Sequence, residues 1–204
     1  MKLYYSPGAC SLAPHIVARE AGVPVDLQKV DLATHKLADG ADYYGVNPRG
    51  YVPALRFKDG EPVLTEANIV VQYLADQKPD AGLMPKAGTP ERYRAQQWLA
   101  FIATELHKNF SWLWNKDTPA ETKSTIKDKL NKRFTELDDH FKSNDFLLGK
   151  NFSAADAYAF TIINWVNFLG LNLKSFPNLQ AFMDRVAARP KVQEALKAEG
   201  LLAA

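Results

Sequence analysis

Met1-Lys2-Leu3-Tyr4-Tyr5-Ser6-Pro7-Gly8-Ala9-Cys10-Ser11-Leu12-Ala13-Pro14-His15-Ile16-Val17-Ala18-Arg19-Glu20-Ala21-Gly22 opens the chain and decides its reading. The apolar, aromatic run 2–5 predicts a strand, Pro7-Gly8 a turn, and the segment from about Cys10 a helix closed by Gly22. Pro14 fixes where that helix begins. Proline has no N–H, so it sits without penalty only in a first turn, where that donor has no intrahelical partner. Cys10 therefore falls at a helix N-terminus, where the dipole and free amides favour thiolate over thiol. A lone cysteine is also commonly a small buried hydrophobe, and both readings stand on this stretch alone. Ala13 stands where a C-x-x-C motif would need its second cysteine, and the chain has 1 cysteine in all. Any redox partner of Cys10 must come from another molecule.

Strand, turn and helix continue through the first 77 residues. The segment 25–30 alternates as a half-buried strand should, and 39–46 is turn-rich with room for one helical turn. Ala54-Leu55-Arg56-Phe57 and Pro62-Val63-Leu64 flank Lys58-Asp59-Gly60-Glu61, the pattern of a hairpin. A helix over 66–76 places Ile69, Val70, Tyr73 and Leu74 on one face. The order β-α-β-turn-β-β-α predicts a small mixed sheet with helices on it. Residues 78–89 form a linker rich in proline and glycine. Beyond it the pattern is helical throughout, over 90–115, 120–142, 153–169, 177–188 and 191–198. Ser153-Ala154-Ala155-Asp156 has the form of a capping box, a structural device.

Composition narrows the function classes. Of 204 residues, 47% are hydrophobic and 24% charged, with a net charge of +2. That balance suits an ordinary globular protein and argues against a nucleic-acid partner. No apolar run has the length of a membrane span, and no secretory signal pattern is visible at the start. One cysteine suits a reducing compartment, so the cytoplasm is the expected location.

Three further segments could carry chemistry. In Asn47-Pro48-Arg49-Gly50-Tyr51-Val52-Pro53, a cis Val52–Pro53 bond would present the Val52 N–H and C=O to an extended peptide. A trans proline merely starting a strand reads the same stretch equally well. In Leu64-Thr65-Glu66-Ala67-Asn68, helix-start amides could hold a carboxylate and Glu66 an ammonium, or Thr65 could simply cap the helix. In the helical half, about 100° spacing puts Leu99, Ile102, Leu106, Phe110 and Leu113 on a core face. Ala100, Thr104, His107 and Ser111 then form a small, polar stripe, with His107 as its most capable member. A lone helical histidine is also commonly just packed. None of His15, His35 or His140 pairs with it at metal-ligand spacing, and no metal site is expected.

Tyr4 to Leu12, Asn47 to Leu55, Leu64-Thr65-Glu66-Ala67, Glu105-Leu106-His107-Lys108, Ala154 with Asp156-Ala157-Tyr158, and 195–201 together resemble the bacterial beta-class glutathione S-transferases, essentially end to end. The resemblance implies an α/β thioredoxin-like N-terminal domain over 1–77, an all-α C-terminal domain over 90–204, and a homodimer. It implies glutathione as co-substrate and a small electrophile as second substrate. It assigns Cys10, His107 and Ser11 to catalysis at the glutathione sulfur. It assigns His35, Lys36, Tyr51, Val52, Pro53, Glu66, Ala67, Thr104 and Lys108, with Cys10 and His107, to glutathione binding. Ala67, His35 and Ala100 stand where relatives often carry serine, lysine and asparagine. Two alternatives accompany this reading: glutathione-dependent thiol–disulfide exchange or dehalogenation through Cys10, and a non-catalytic interaction module. Trp112, Trp114, Trp165, Phe110 and Phe168 are candidate apolar walls for the electrophile.

Overall fold

The computed structural model describes residues 1–202. By internal contacts they group into two compact units, Met1–Met84 together with the chain from Ala188 onward, and Pro85–Ala187.

The first unit is built on a four-stranded sheet of order β3-β2-β1-β4. β1 (Lys2–Tyr5) pairs parallel with β2 (Asp26–Asp31) and antiparallel with β4 (Ala54–Arg56), while the short β3 (Lys36–Leu37) runs antiparallel to β2. A parallel pair needs a crossover, and α1 (Leu12–Ala21) supplies it. Gly22 ends α1 at φ 67°, a left-handed conformation in which its N–H returns to the last carbonyls of the helix. Alternation along β1 sends Leu3 and Tyr4 to opposite faces. Leu3 and Leu55 are fully buried, as are Leu12, Ile16, Val70 and Leu74 of α1 and α2 (Ala67–Asp76). The other face carries a small core of Tyr4, Val30, Tyr43, Val52 and Ala54. α8 (Pro190–Ala198) packs on α1, where Arg189 grips Glu20 through two bonds of 2.7 and 2.8 Å.

Three local expectations are corrected. The second arm of the hairpin is a single bridge, Leu55 to Leu64, not a strand. The buried face of α2 is Ala67, Val70, Val71, Leu74 and Ala75, so Ile69 is exposed and Tyr73 only partly covered. The residue that begins α2 is Glu66, with no side-chain cap, so Thr65 does not cap it.

The second unit is helical. α3 (Pro90–Phe101) is capped by the Thr89 hydroxyl, which accepts the Arg92 N–H. A π-helical turn, Ile102–His107, joins it to α4 (Lys108–Trp114). α5 (Ala120–Phe141) buries Ile126, Leu130, Phe134, Leu137 and Phe141, a stripe at helical spacing. α6 (Ala154–Ile163) is buried on every side, and its capping box forms as the sequence predicts. Asp156, fully buried, accepts the N–H of Ser153 and of Leu147 and the Ser153 hydroxyl at 2.6–2.8 Å. Burial raises its carboxyl to about 6. α7 (Pro177–Ala187) starts against Asp138 of α5, whose carboxylate takes the backbone N–H of Asn178 and Leu179.

Candidate active site

In the first unit, Cys10 lies in the turn between β1 and α1, one residue before the helix cap Ser11. Its thiol is buried and donates to the Val52 carbonyl at 3.1 Å. Burial pushes that thiol up to about 12, the nearby Glu66 charge adds to the rise, and the Cys10 and Ser11 backbone amides oppose it. The expected bias toward thiolate is therefore overturned in the free protein. The helix-terminal amides act in the expected direction, but desolvation of a buried anion outweighs them. Ser11 is fully buried, and its hydroxyl both donates to the Ser6 carbonyl and accepts the Ser6 N–H, bracing the turn from inside.

Beside the thiol runs the segment 47–53. The Val52–Pro53 peptide is cis. Both residues are buried, whereas the Tyr51 side chain is 71% exposed. Glu66 follows at the start of α2 with φ 66° and ψ 112°, strained values for a residue with a Cβ. Its carboxylate is exposed and pairs with Arg49 at 3.3 Å. The Ile69 and Val70 amides return to the Glu66 carbonyl, so the preceding amides of Ala67 and Asn68 are the helix-start donors. His35 also has a positive φ, 52°. Its ring lies on Tyr44 at 4.6 Å, and its Nδ1 is buried without a partner. Gly50 permits that packing, since a Cβ there would sit 2.9 Å from both rings. Lys36 is exposed on β3.

In the second unit, His107 ends the π-helical turn. Its Nδ1 is 2.6 Å from the Tyr158 hydroxyl, and its ring meets Trp165 edge-on at 5.1 Å. Burial lowers the imidazole to about 4, with the Lys108 charge adding to the fall. It is neutral at pH 7. Thr104 and Lys108 are exposed, Thr104 donating to the Ala100 carbonyl. The π turn breaks the uniform helical period on which the polar stripe was drawn. Leu99, Ile102, Leu106 and Phe110 are buried as expected, whereas Leu113 is only partly so. Of the candidate walls, Phe110 and Trp165 are core, while Trp112, Trp114 and Phe168 are exposed. No cluster of metal-ligating side chains occurs among the described residues.

Sequence reasoning left out Arg49, Tyr43, Asn47 and Tyr158 as partners of these groups. Asn47, Arg49 and Tyr158 lie in the motifs that the sequence offers, Tyr43 does not, and nothing in their spacing announces what they touch.

Family models agree with this geometry. Residues 8–77 match the glutathione S-transferase N-terminal domain and residues 98–190 the C-terminal domain. Glutathione S-transferase GstA of Escherichia coli O157:H7 is 47% identical over 98% of this chain and all of its own length. A bacterial beta-class glutathione S-transferase from Sphingomonas chungbukensis is 45% identical with a TM-score of 0.93, covering 99% of this chain and 100% of that one. A sphingomonad glutathione S-transferase, solved complexed with glutathione, is 42% identical with a TM-score of 0.93 over the same shares. A mixed sheet with a thiol at the start of its first helix, followed by an all-helical unit, is thus in sequence and in fold that of the glutathione S-transferase family, to which this chain belongs.

Proposed function

We propose that this glutathione S-transferase holds glutathione mainly through Cys10, Val52, Glu66 and Ala67 and delivers its sulfur to a small, apolar electrophile. The observation that carries the reading is the grouping of three recognition elements in one compact unit. A thiol touches the Val52 carbonyl, and the charge of Glu66 is felt at that thiol. Glutathione offers a thiol, a peptide middle and an amino-acid end in matching order. The Val52 edge suits the cysteinyl backbone. Glu66 suits the ammonium, and the helix-start amides of Ala67 and Asn68 suit the carboxylate. Tyr51, Pro53, His35 and Lys36 flank these groups in the same unit, His35 with an unpartnered Nδ1.

The chemistry follows from the protonation states. Glutathione loses its thiol proton to solvent, its sulfur forms a bond to the electrophilic carbon, and the leaving group departs with its electron pair. A protonated Cys10 is a hydrogen-bond donor toward a thiolate and not a competing nucleophile. Neutral His107 is a donor too: its ring keeps one N–H, which sits on Nε2 in the tautomer whose Nδ1 accepts from the Tyr158 hydroxyl. Ser11 acts by bracing the turn. In this reading the second copy of the homodimer adds a polar contact from the same helix, through Thr104 or Lys108, and the exposed Trp114 and Phe168 supply apolar surface for the electrophile. On the same reading residues 1–77 are the glutathione-binding domain and 90–204 the substrate domain, although the chain from Ala188 onward groups with the first unit, and the protein is a cytoplasmic homodimer. No helix among the described residues is long and apolar enough to cross a membrane.

Retention on immobilised glutathione with competitive elution tests the reading, and no binding at millimolar glutathione overturns it. Thiol–disulfide exchange is the second reading, favoured by the lone cysteine: the Cys10 sulfur would attack a glutathione mixed disulfide, keep the glutathionyl group and release the other thiol, and a second glutathione would then free Cys10 as glutathione disulfide departs. C10A separates the two. Conjugation that survives while mixed-disulfide reduction disappears assigns Cys10 to redox chemistry alone. Light scattering near twice 22.8 kDa supports the dimer, and an active monomer refutes it.

A further inference from the structure

The Tyr51 carbonyl receives two interior donors. The Tyr43 hydroxyl reaches it at 2.8 Å and the Asn47 side-chain amide at 2.7 Å. Tyr43 is fully buried and Asn47 is 4% exposed, although the Tyr51 side chain points to solvent. A carbonyl near the surface would ordinarily be satisfied by water, yet here two buried side chains occupy its lone pairs. Both donors are themselves held. The Asn47 Oδ1 accepts the Arg49 N–H, the Asn47 N–H donates to the Tyr43 carbonyl, and the Gly50 N–H donates to the Asn47 carbonyl. Tyr43 is fixed in the small core with Tyr4, Val30, Val52 and Ala54.

The Tyr51–Val52 peptide is trans, so its C=O and N–H point in opposite directions. A carbonyl clamped toward Tyr43 and Asn47 therefore turns the Val52 N–H away from them. Among the described residues no hydrogen bond from that N–H is found. The next carbonyl, of Val52 itself, is where the Cys10 thiol donates.

We infer that Asn47 is a positioning residue whose amide, together with the Tyr43 hydroxyl, sets the plane of the Tyr51–Val52 peptide and aims the Val52 N–H at the backbone carbonyl of an extended peptide ligand. The inference rests on the glutathione reading above and adds the device that fixes the ligand's middle. The clamp acts on bound glutathione before and during reaction alike, so its loss falls on KM and not on the chemical step.

The experiment uses the 15N-labelled full chain, titrated with glutathione, in three forms: the protein itself, N47D and Y43F. N47D keeps the size of the side chain but sets an acceptor against the Tyr51 carbonyl. Y43F removes one of the two donors. In the unaltered protein, glutathione shifts the amide resonances of Val52 and Ala67. In N47D the Val52 shift is lost while the Ala67 shift persists, and KM for glutathione rises about tenfold with kcat lowered less than about twofold. Y43F shows the same split at about threefold, because one donor remains. A Val52 shift and KM in N47D equal to those of the unaltered protein overturn the inference. So does joint loss of the Val52 and Ala67 responses with a lowered melting temperature, which would make Asn47 only a structural residue. If N47D does not fold, Y43F decides by the same criteria. If the unaltered protein itself shows no response to millimolar glutathione, the glutathione reading fails whatever the variants do.

Discussion

His15 Nδ1 lies 2.9 Å from Glu199 Oε1, both side chains are buried, and the two residues are 184 positions apart. The second Glu199 oxygen accepts the Gly8 N–H at 2.9 Å, and Arg19 Nε donates to His15 Nε2 at 2.8 Å. The imidazole therefore carries its proton on Nδ1. One carboxylate from the end of the chain ties together the turn that carries Cys10 and the helix that follows it.

Removing that carboxylate takes the charged acceptor away from the buried His15 Nδ1, and it takes one acceptor from the part-buried Gly8 N–H. E199A is expected to lower stability by about 3–5 kcal/mol, whereas E199Q, which keeps one acceptor, loses about 1–3 kcal/mol. Urea unfolding followed by circular dichroism measures both. A loss below about 1 kcal/mol in E199A would show that water replaces the carboxylate at no cost.

Cys10 should be slow toward alkylating reagents in the free protein. With its thiol at about 12, the thiolate fraction at pH 7 is small beside that of an ordinary cysteine. Iodoacetamide labelling followed by mass analysis is expected to run at least about tenfold slower than for free cysteine at pH 7. A labelling rate that titrates with a midpoint below pH 8 contradicts the burial argument.

Glu66 trades backbone strain against ligand recognition. E66G removes the penalty of a Cβ at φ 66°, which offsets the extra freedom of glycine in the unfolded chain, so stability should change by less than about 1 kcal/mol. Glutathione affinity should fall about tenfold or more, since the partner of the ammonium is gone. E66Q keeps the strain and loses only the charge. If E66G and E66Q bind glutathione as the unaltered protein does, Glu66 has no part in recognition. Arg49, paired with Glu66 across 3.3 Å on the surface, should contribute little to stability, as exposed pairs do.

His107 should stay neutral through the physiological range. Its folded value, about 4, lies below the 6.5 of an exposed histidine. Between those values the unfolded chain binds the proton more tightly. The stability linked to this group is therefore full above pH 6.5 and is lost progressively as pH falls toward 4. Proton NMR of the ring checks the assignment: no titration of His107 between pH 6 and 8 is expected, and a midpoint near 6.5 would show the ring to be exposed.

Much of the scaffold could be read from local pattern. Pro14 and Gly22 delimit α1, Ser153 and Asp156 announce α6, and the 4-4-3-4 spacing from Ile126 to Phe141 declares the buried face of α5, because proline geometry, capping and helical periodicity act within a few residues. Cys10, the Val52 edge, Glu66 and His107 were legible as candidates for the same reason, since each sits at a turn, a helix start or a stripe. Their states were not. The thiol of Cys10 is decided by how deeply residues far along the chain bury it, and no local rule weighs that desolvation against two amides. His107 is held neutral by the fold that covers it and brings Tyr158 to its ring. Glu66 strained at positive φ, Ile69 outside the core, and Tyr43 with Asn47 on the Tyr51 carbonyl all depend on contacts that only the packed chain makes. The amino-acid sequence by itself determined which groups could do chemistry and where helices and strands begin. The tertiary structure alone decided their protonation and orientation, because solvation and hydrogen-bond geometry belong to the surroundings of an atom and not to its neighbours in the chain.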